Sequence, residues 1–454
     1  MSHSIAAIST PPAPAGLGVI RISGEDAIAI ADKVFRPLAE GKTLSALDGY
    51  SALYGHVYDQ EGDIDDCVAL VFRAPHSYTG ENVVELSCHG GVYLLRRVLR
   101  ACLDNGASPA EAGEFTKRAF LNGKLDLTGA DAVMDLIGAQ GALAARVALA
   151  TREGSVFRTL TDVKNILLQS ASQMAAYVDY PYEDIPELHD DELIATLETA
   201  EEKLKKLLST FDAGKVLREG IDTVIVGSPN VGKSTLMNRL TGCERSIVTS
   251  EAGTTRDIVE ETIQLGDVTL RLADTAGIRD ASNEAEAIGV QRALTRLESA
   301  SLILAVFDQS TPLSEKDREI ALKAAKGNAI AILNKADCPA ADVSFIKKTF
   351  ARCVTVSAKS GDGIEELTRL VEEATGVAYL QGNEAVLATE RQRDGAQKAL
   401  ASIQHCKESL QAGLTPDVLG IDIDEAIAAI AELTGERVSD AVIHEVFARF
   451  CVGK

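Results

Sequence analysis

Gly227-Ser228-Pro229-Asn230-Val231-Gly232-Lys233-Ser234 follows the apolar run Thr223 to Val226 and leads into a stretch of helical character. A glycine-bounded loop between a strand and a helix, ending in Lys-Ser, is the P-loop pattern. Its backbone N–H groups wrap phosphates, Lys233 contacts the outer phosphates, and the Ser234 hydroxyl can bind Mg²⁺. Outward from this loop, Val268 to Leu272, Leu302 to Asp308, Ala329 to Leu333 and Cys353 to Val356 are further apolar strand candidates separated by helical stretches. That alternation predicts a parallel sheet covered by helices over about 221–376.

Four more motifs occur in the order a guanine-nucleotide site requires. Asp274-Thr275-Ala276-Gly277 follows the Val268 to Leu272 strand, where a carboxylate can hold Mg²⁺ through water and a glycine N–H can face the γ-phosphate. Asn334-Lys335-Ala336-Asp337 ends the strand that starts at Ala329. The Asp337 carboxylate can accept from both the ring N–H and the exocyclic amine of guanine, a donor pair that adenine lacks. Losing such a pair typically costs about 10⁴–10⁵ in discrimination, so Asp337 selects GTP over ATP. Ser357-Ala358-Lys359 supplies backbone contacts to the base, and Gly253-Thr254-Thr255-Arg256-Asp257 offers Thr255 to complete the Mg²⁺ shell. Ile278 stands where many small GTPases carry a water-orienting Gln, so another group must position the water. The acidic Asn283-Glu284-Ala285-Glu286 stretch can supply it or can simply be solvated. Asn230 can ligate a monovalent cation beside the phosphates or can simply close the turn.

The flanks differ from this unit. From the start to about Phe120, short β-rich runs (Val19 to Ile22, Val68 to Phe72, Val83 to Leu86) and one helix, Val92 to Leu103, predict an α+β domain. After Leu121 the period becomes helical, with Leu160, Val163, Leu167, Met174 and Val178 on one face and Leu193, Leu197, Leu204, Leu208 and Phe211 on another. The segment Asp179 to Pro186 separates the two. Beyond about Glu384 the chain is helical again. The expected fold is therefore multidomain: an N-terminal α+β domain (1–120), a discontinuous all-α domain (121–220 and 377–454) and an inserted α/β P-loop GTPase domain (221–376).

Composition narrows the function. The 454 residues suggest about three domains. With 45 Lys+Arg against 67 Asp+Glu the net charge is −22, which argues against a broad basic surface coating nucleic acid. Any nucleic acid contact must be local or borrowed from a partner. The longest apolar runs stop far short of a membrane span, and Met1 to Gly16 lacks the basic start and apolar core of a secretory signal. The eight cysteines have no Cys-x-x-Cys spacing, which suits reduced thiols in a cytoplasmic protein. Gly16-Leu17-Gly18 lacks the third glycine of a dinucleotide fingerprint, and Cys88-His89, as strand neighbours, would face opposite ways.

The order of these domains resembles the MnmE (TrmE) family of tRNA modification GTPases. The resemblance rests on Pro-Asn-x-Gly-Lys-Ser, Gly-Thr-Thr-Arg-Asp and the ending Phe450-Cys451-Val452-Gly453-Lys454. It implies a homodimer working with a flavin-dependent MnmG-type partner. Together they would add an aminomethyl or carboxymethylaminomethyl group to C5 of the wobble uridine of tRNA, with a tetrahydrofolate such as 5-formyltetrahydrofolate as one-carbon donor. It implies GTP contacts at Asn230, Val231, Gly232, Lys233, Ser234 and Thr235. Further GTP contacts fall at Thr249, Ser250, Glu251, Ala252, Gly253, Thr254 and Thr255, and at the Asp274, Asn334 and Ser357 motifs above. Magnesium would lie at Ser234 and Thr255, and potassium at Asn230, Thr249, Glu251 and Thr254. Folate would contact Arg21, Glu85, Lys124 and Lys454, and Glu286 would be catalytic. Cys451 can be a nucleophile of the modification site or a packing residue. Two rival readings are a ribosome-assembly GTPase and a folate enzyme with a merely structural GTPase unit. The single P-loop with acidic flanks speaks against the first, and the intact nucleotide motifs speak against the second.

Overall fold

The computed structural model describes residues 3–179, 189–243, 261–272, 297 and 300–454. They fall into two compact bodies, residues 1–134 with 427–454, and residues 135–426. In the first body, β1 (Ile5–Ile8), β2 (Ala15–Ser23), β3 (Phe35–Pro37), β4 (Ser51–Asp59), β5 (Gly62–Phe72), β6 (Val83–Gly90) and β7 (Ser108–Pro109) form a sheet of order β3-β4-β5-β6-β2-β1-β7. Ile20, Ile22, Val84 and Leu86 point to one face and pack with Ile30, Leu95 and Val98 of the helices Ala27–Val34 and Val92–Asp104. Strand side chains alternate, so Arg21 lies on the other face. There its register partner Ala7, together with Ile5, packs against Phe115. Cys88 is buried and His89 exposed, as strand neighbours should be. A satellite core joins Leu127, Ala130, Ile443 and Phe447, with Phe447 5.3 Å from Phe450 between ring centres.

In the second body, β8 (Ile221–Val226), β9 (Glu261–Leu265), β10 (Val268–Leu272), β11 (Leu302–Asp308), β12 (Ala329–Asn334) and β13 (Cys353–Thr355) form a sheet of order β13-β12-β11-β8-β10-β9. Strands β11 and β12 are buried almost throughout, as central strands covered on both faces must be. The pairings are parallel except that β9 runs antiparallel to β10. The sequence reading contains no strand between Val226 and Val268. An edge strand needs only one apolar face, and β9 supplies it with Ile263 and Leu265 while Thr262 and Gln264 remain half-exposed. The chain reverses direction across the sheet at β8, which makes the carboxyl ends of β8, β11 and β12 the natural ligand crevice.

The helices Ser155–Asp179, Asp190–Leu208 and Glu390–Gln411 complete this body, the middle one packing on both others. Leu160, Val163, Leu167, Met174, Leu193, Leu197 and Leu204 are all buried. Leu207, rather than the expected Leu208, takes the next buried position, because 197, 200, 204 and 207 follow the 3.6-residue period. Phe211 opens a separate helix, Phe211–Glu219. Glu201 fixes the register of two helices by accepting from Gln404 Nε2 and Lys407 Nζ, each at 2.9 Å. The side chains of Val178 and Asp179, and residues 180–186 of the break, lie outside what is described. No helix among the described residues is long and apolar enough to cross a membrane.

Candidate functional site

The loop between β8 and the helix Lys233–Cys243 is shaped by three left-handed or near-extended positions. Gly227 has φ +159°, Asn230 +63° and Gly232 +93°. At Gly232 a Cβ would stand 2.3 Å from Asn334 Nδ2, and at Gly227 it would stand 2.3 Å from Val306 O, so both positions must be glycine for the loop to close on its neighbours. Asn230 tolerates a left-handed backbone better than most side chains. Lys233 is buried, and its ammonium donates to Gly227 O at 3.1 Å and Ser228 O at 2.8 Å. Ser228 Oγ donates at 2.5 Å to Asp317, which also closes the capping box with Ser314 on the helix Glu315–Ala324.

Asn334, at the end of β12, is 2% exposed and connects two loops. Its Nδ2 donates to Val231 O at 2.8 Å, and its Oδ1 accepts from Ala358 N at 3.0 Å. One partner is a pure acceptor and the other a pure donor, so the amide orientation is fixed by the network. The phosphate loop and the Ser357-Ala358-Lys359 loop are thus held by one side chain. Lys335 follows with φ +68° and its ammonium 2.5 Å from Asp308 Oδ2. Burial raises the Asp308 pKa, but the Lys335 and Ser310 donors outweigh it and leave the carboxyl below its usual range. Asp337 is exposed, and the Ser357 hydroxyl donating at 2.8 Å holds its carboxyl below the usual range. It is therefore an anion at neutral pH, with acceptor capacity left for a ligand.

Arg239, on the P-loop helix, was not marked by any sequence motif. Its guanidinium donates to Ala358 O at 3.1 Å and to Lys359 O, tying the base-side loop to the phosphate-side helix a second time. Asp308 and Asp317 were missed likewise, because Lys335 and Ser228, their partners across the site, are distant in sequence. Thr249, Ser250, Glu251, Ala252, Gly253, Thr254, Thr255, Asp274, Thr275, Ala276, Gly277 and Glu286 lie outside the described residues. Val231 lies in the phosphate loop, Ser234 and Thr235 lie in the first turn of the helix Lys233–Cys243, and Ala336 N donates to Val356 O at 3.0 Å.

In the first body, Arg21 on β2 and Glu85 on β6 are register partners, and Arg21 Nε donates to Glu85 Oε1 at 2.9 Å. The Arg21 guanidinium lies 5.6 Å from the ring centres of both Tyr78 and Phe115. It also donates to Gly453 O at 3.4 Å, so the Cys451–Lys454 segment meets it. That segment is itself held: Phe115 N donates to Lys454 O at 3.2 Å, Ser9 Oγ to Gly453 O at 3.1 Å, and Ala112 bridges Val452. Gly453 has φ +97°, and a Cβ there would sit 2.4 Å from Ile8 O. Lys124 donates to Pro75 O at 3.2 Å, on the loop that carries Tyr78 to Arg21. The structure thus brings Arg21, Glu85 and the Lys454 backbone together and sets Lys124 on the adjoining loop. Cys451 is exposed.

Residues 4–124 match the family described as the GTP-binding protein TrmE N-terminus, and residues 127–451 match the MnmE helical domain. The chain is 38% identical to the tRNA modification GTPase MnmE of Lactococcus lactis subsp. cremoris (strain SK11), over 99% of this chain and 98% of that one. It is 37% identical to the protein of that name from Acetivibrio thermocellus, over 99% of both chains. It is 39% identical to the one from Symbiobacterium thermophilum, over all of this chain and 99% of that one. With both family regions in order and full-length identity on either side of an intact guanine-nucleotide loop set, the chain belongs to the MnmE family of tRNA modification GTPases.

Proposed function

We propose that this chain couples GTP hydrolysis to installing an aminomethyl or carboxymethylaminomethyl group on C5 of the tRNA wobble uridine. It would act as a homodimer in the cytoplasm with a flavin-dependent MnmG-type partner and a tetrahydrofolate one-carbon donor such as 5-formyltetrahydrofolate. The observation that carries the reading is the Asn334 bridge between phosphate and base loops in a member of this family. Asp337, anionic and half-engaged by Ser357, supplies the acceptor pair for guanine. Lys233 holds an ammonium against the loop carbonyls, where incoming phosphate oxygens would compete for it.

The loop fits a bound Mg²⁺ ion: Ser234 opens the helix at the site of the phosphates, with Thr255 and Asp274 assigned by sequence to the same shell. When bound, the ion neutralises charge on the β and γ oxygens. The left-handed Asn230 sits at the crown of the loop, where its amide would hold K⁺ with Thr249, Glu251 and Thr254. Glu286 would orient the attacking water. In the N-terminal body, the Arg21 and Glu85 pair offers a donor edge beside an acceptor edge, with two aromatic rings next to the guanidinium, which suits a flat, polar pterin. Lys124 and Lys454 would then meet the folate's anionic groups. Cys451, exposed on the segment that contacts Arg21, would be the reactive group of the modification site.

Mass analysis of wobble nucleosides tests the function as a whole. Cells lacking the protein should lose the C5 group, and cells carrying only Cys451→Ser should lose it too if the thiol reacts. Normal C5 modification without the protein contradicts the proposal, and full modification by the Ser variant retires Cys451 alone. Asp337→Asn should shift preference from GTP to xanthosine triphosphate, as the loss of a paired acceptor costs about 10⁴–10⁵ in discrimination. An unchanged preference in competition would remove Asp337 from the site. Turnover should be much faster in potassium than in sodium at equal ionic strength; equal rates leave Asn230 as a turn residue. For the folate site, calorimetry of 5-formyltetrahydrofolate should show binding to the intact protein that weakens roughly tenfold or more with Arg21→Ala. Absence of binding to the unaltered protein would refute that site.

A further inference from the structure

The β9–β10 hairpin is bolted at its tip to the helical part of its own body. Gly266, with φ +61°, and Asp267 make the two-residue turn. Asp267 Oδ1 accepts from Leu143 N at 3.0 Å, in the first turn of the helix Ala142–Arg152. That helix has Gly141 at its N-cap, so it carries no capping side chain of its own. A Cβ on Gly141 would stand 3.2 Å from both Asp267 Oδ1 and Gln264 Nε2. The hairpin therefore occupies the space a local cap would need and supplies the cap from outside. A carboxylate there also complements the partial positive charge of the helix start.

Neighbouring contacts strengthen the joint. Thr269 Oγ1 lies 3.2 Å from Gln140 Oε1, and Asp267 N donates at 3.1 Å to Glu372 of the helix Ile364–Ala374. Beneath them Leu143, Ala144 and Val147 share one core with Ile263, Leu265, Val268 and Leu270. The tip lies at the end of the sheet opposite the phosphates. Strand β10 runs parallel to β8, whose carboxyl end opens the P-loop, and Asp267 precedes the amino end of β10. At about 3.3 Å per residue, five strand residues set Asp267 roughly 16 Å or more from the nucleotide end, too far to touch it. Yet the hairpin is continuous in sequence with the two stretches assigned to sense GTP, Thr249 to Thr255 before it and Asp274 to Gly277 after it.

We propose that Asp267 is a positioning residue that makes the hairpin and the N-terminus of the helix Ala142–Arg152 move as one piece, so that the nucleotide state is read out in the helical domain. This rests on the GTPase reading above, in which the flanking stretches respond to the γ-phosphate. It assigns the coupling to the joint at the far end of the sheet. Apolar packing alone would allow sliding; the carboxylate-to-amide bond has one geometry and one partner.

The test is hydrogen–deuterium exchange of the full chain in GDP and in a slowly hydrolysed GTP analogue, read over residues 141–146. In the unaltered protein, exchange there should differ several-fold between the two nucleotides. In Asp267→Ala it should be faster by roughly fivefold, the usual effect of a lost cap, and the same in both nucleotides. GTP affinity and turnover should stay within about twofold, because a group this far from the phosphates makes no transition-state contact. Asp267→Asn, which keeps shape and an acceptor, should retain part of the difference and serves if the Ala variant does not fold. Equal exchange of the unaltered protein in the two nucleotides, or a nucleotide difference that survives in Asp267→Ala, overturns the proposal. Failure of the unaltered protein to bind or hydrolyse GTP would instead refute the GTPase reading beneath it.

Discussion

The Asn334 side chain is the constraint on which the rest of the nucleotide site depends. A buried primary amide must find partners for both its ends, and leaving one unpaired costs about 1–3 kcal/mol. Asn334 meets that demand with Val231 O on the phosphate side and Ala358 N on the base side. The distance between phosphate and base recognition is thereby set by one rigid group at the end of a strand buried along its whole length. Two further features follow from it. Gly232 must lack a side chain because the amide occupies that space, and Arg239 can reach the Ala358 and Lys359 carbonyls only because the base loop is drawn against the P-loop helix.

The same economy of charge appears in the other body. On a chain of net charge −22, the cations at the candidate sites are engaged by specific acceptors: Lys233 by loop carbonyls, Lys335 by Asp308, Arg21 by Glu85 and Gly453 O. Long-range attraction of nucleic-acid phosphates is therefore weak, and any such contact must come from a local surface or from a partner. In compensation, the cations are held in fixed positions, which favours recognition of a small anionic ligand over broad adhesion.

How much of this was readable beforehand depended on the kind of signal. Leu302 to Phe307 and Ala329 to Leu333 announce themselves because a parallel strand covered on both faces is continuously apolar. Strand β9 was missed because its alternation, Ile263 and Leu265 between polar residues, is short and begins with the acid Glu261. Strand β4 was missed for a related reason: Gly55 and His56 interrupt it, and it is secured by pairing with β3 and β5 rather than by its own composition. Of the site, Gly232, Lys233, Asn334 and Asp337 were legible as motif. Arg239, Asp308 and Asp317 were not, because their partners Ala358, Lys335 and Ser228 lie 119, 27 and 89 residues away and leave no local pattern. Arg21 and Glu85 entered by resemblance, and only the β2–β6 register shows why they meet.

The most direct test of this account is the affinity of Asn334→Ala for GTP, measured by titration calorimetry alongside a thermal unfolding scan. If one amide sets the spacing of the two loops, GTP binding should weaken by roughly 5–150-fold, the equivalent of about 1–3 kcal/mol for an unpaired buried group, while the protein still unfolds in a cooperative transition. GTP affinity equal to that of the unaltered protein, in a folded variant, would contradict it.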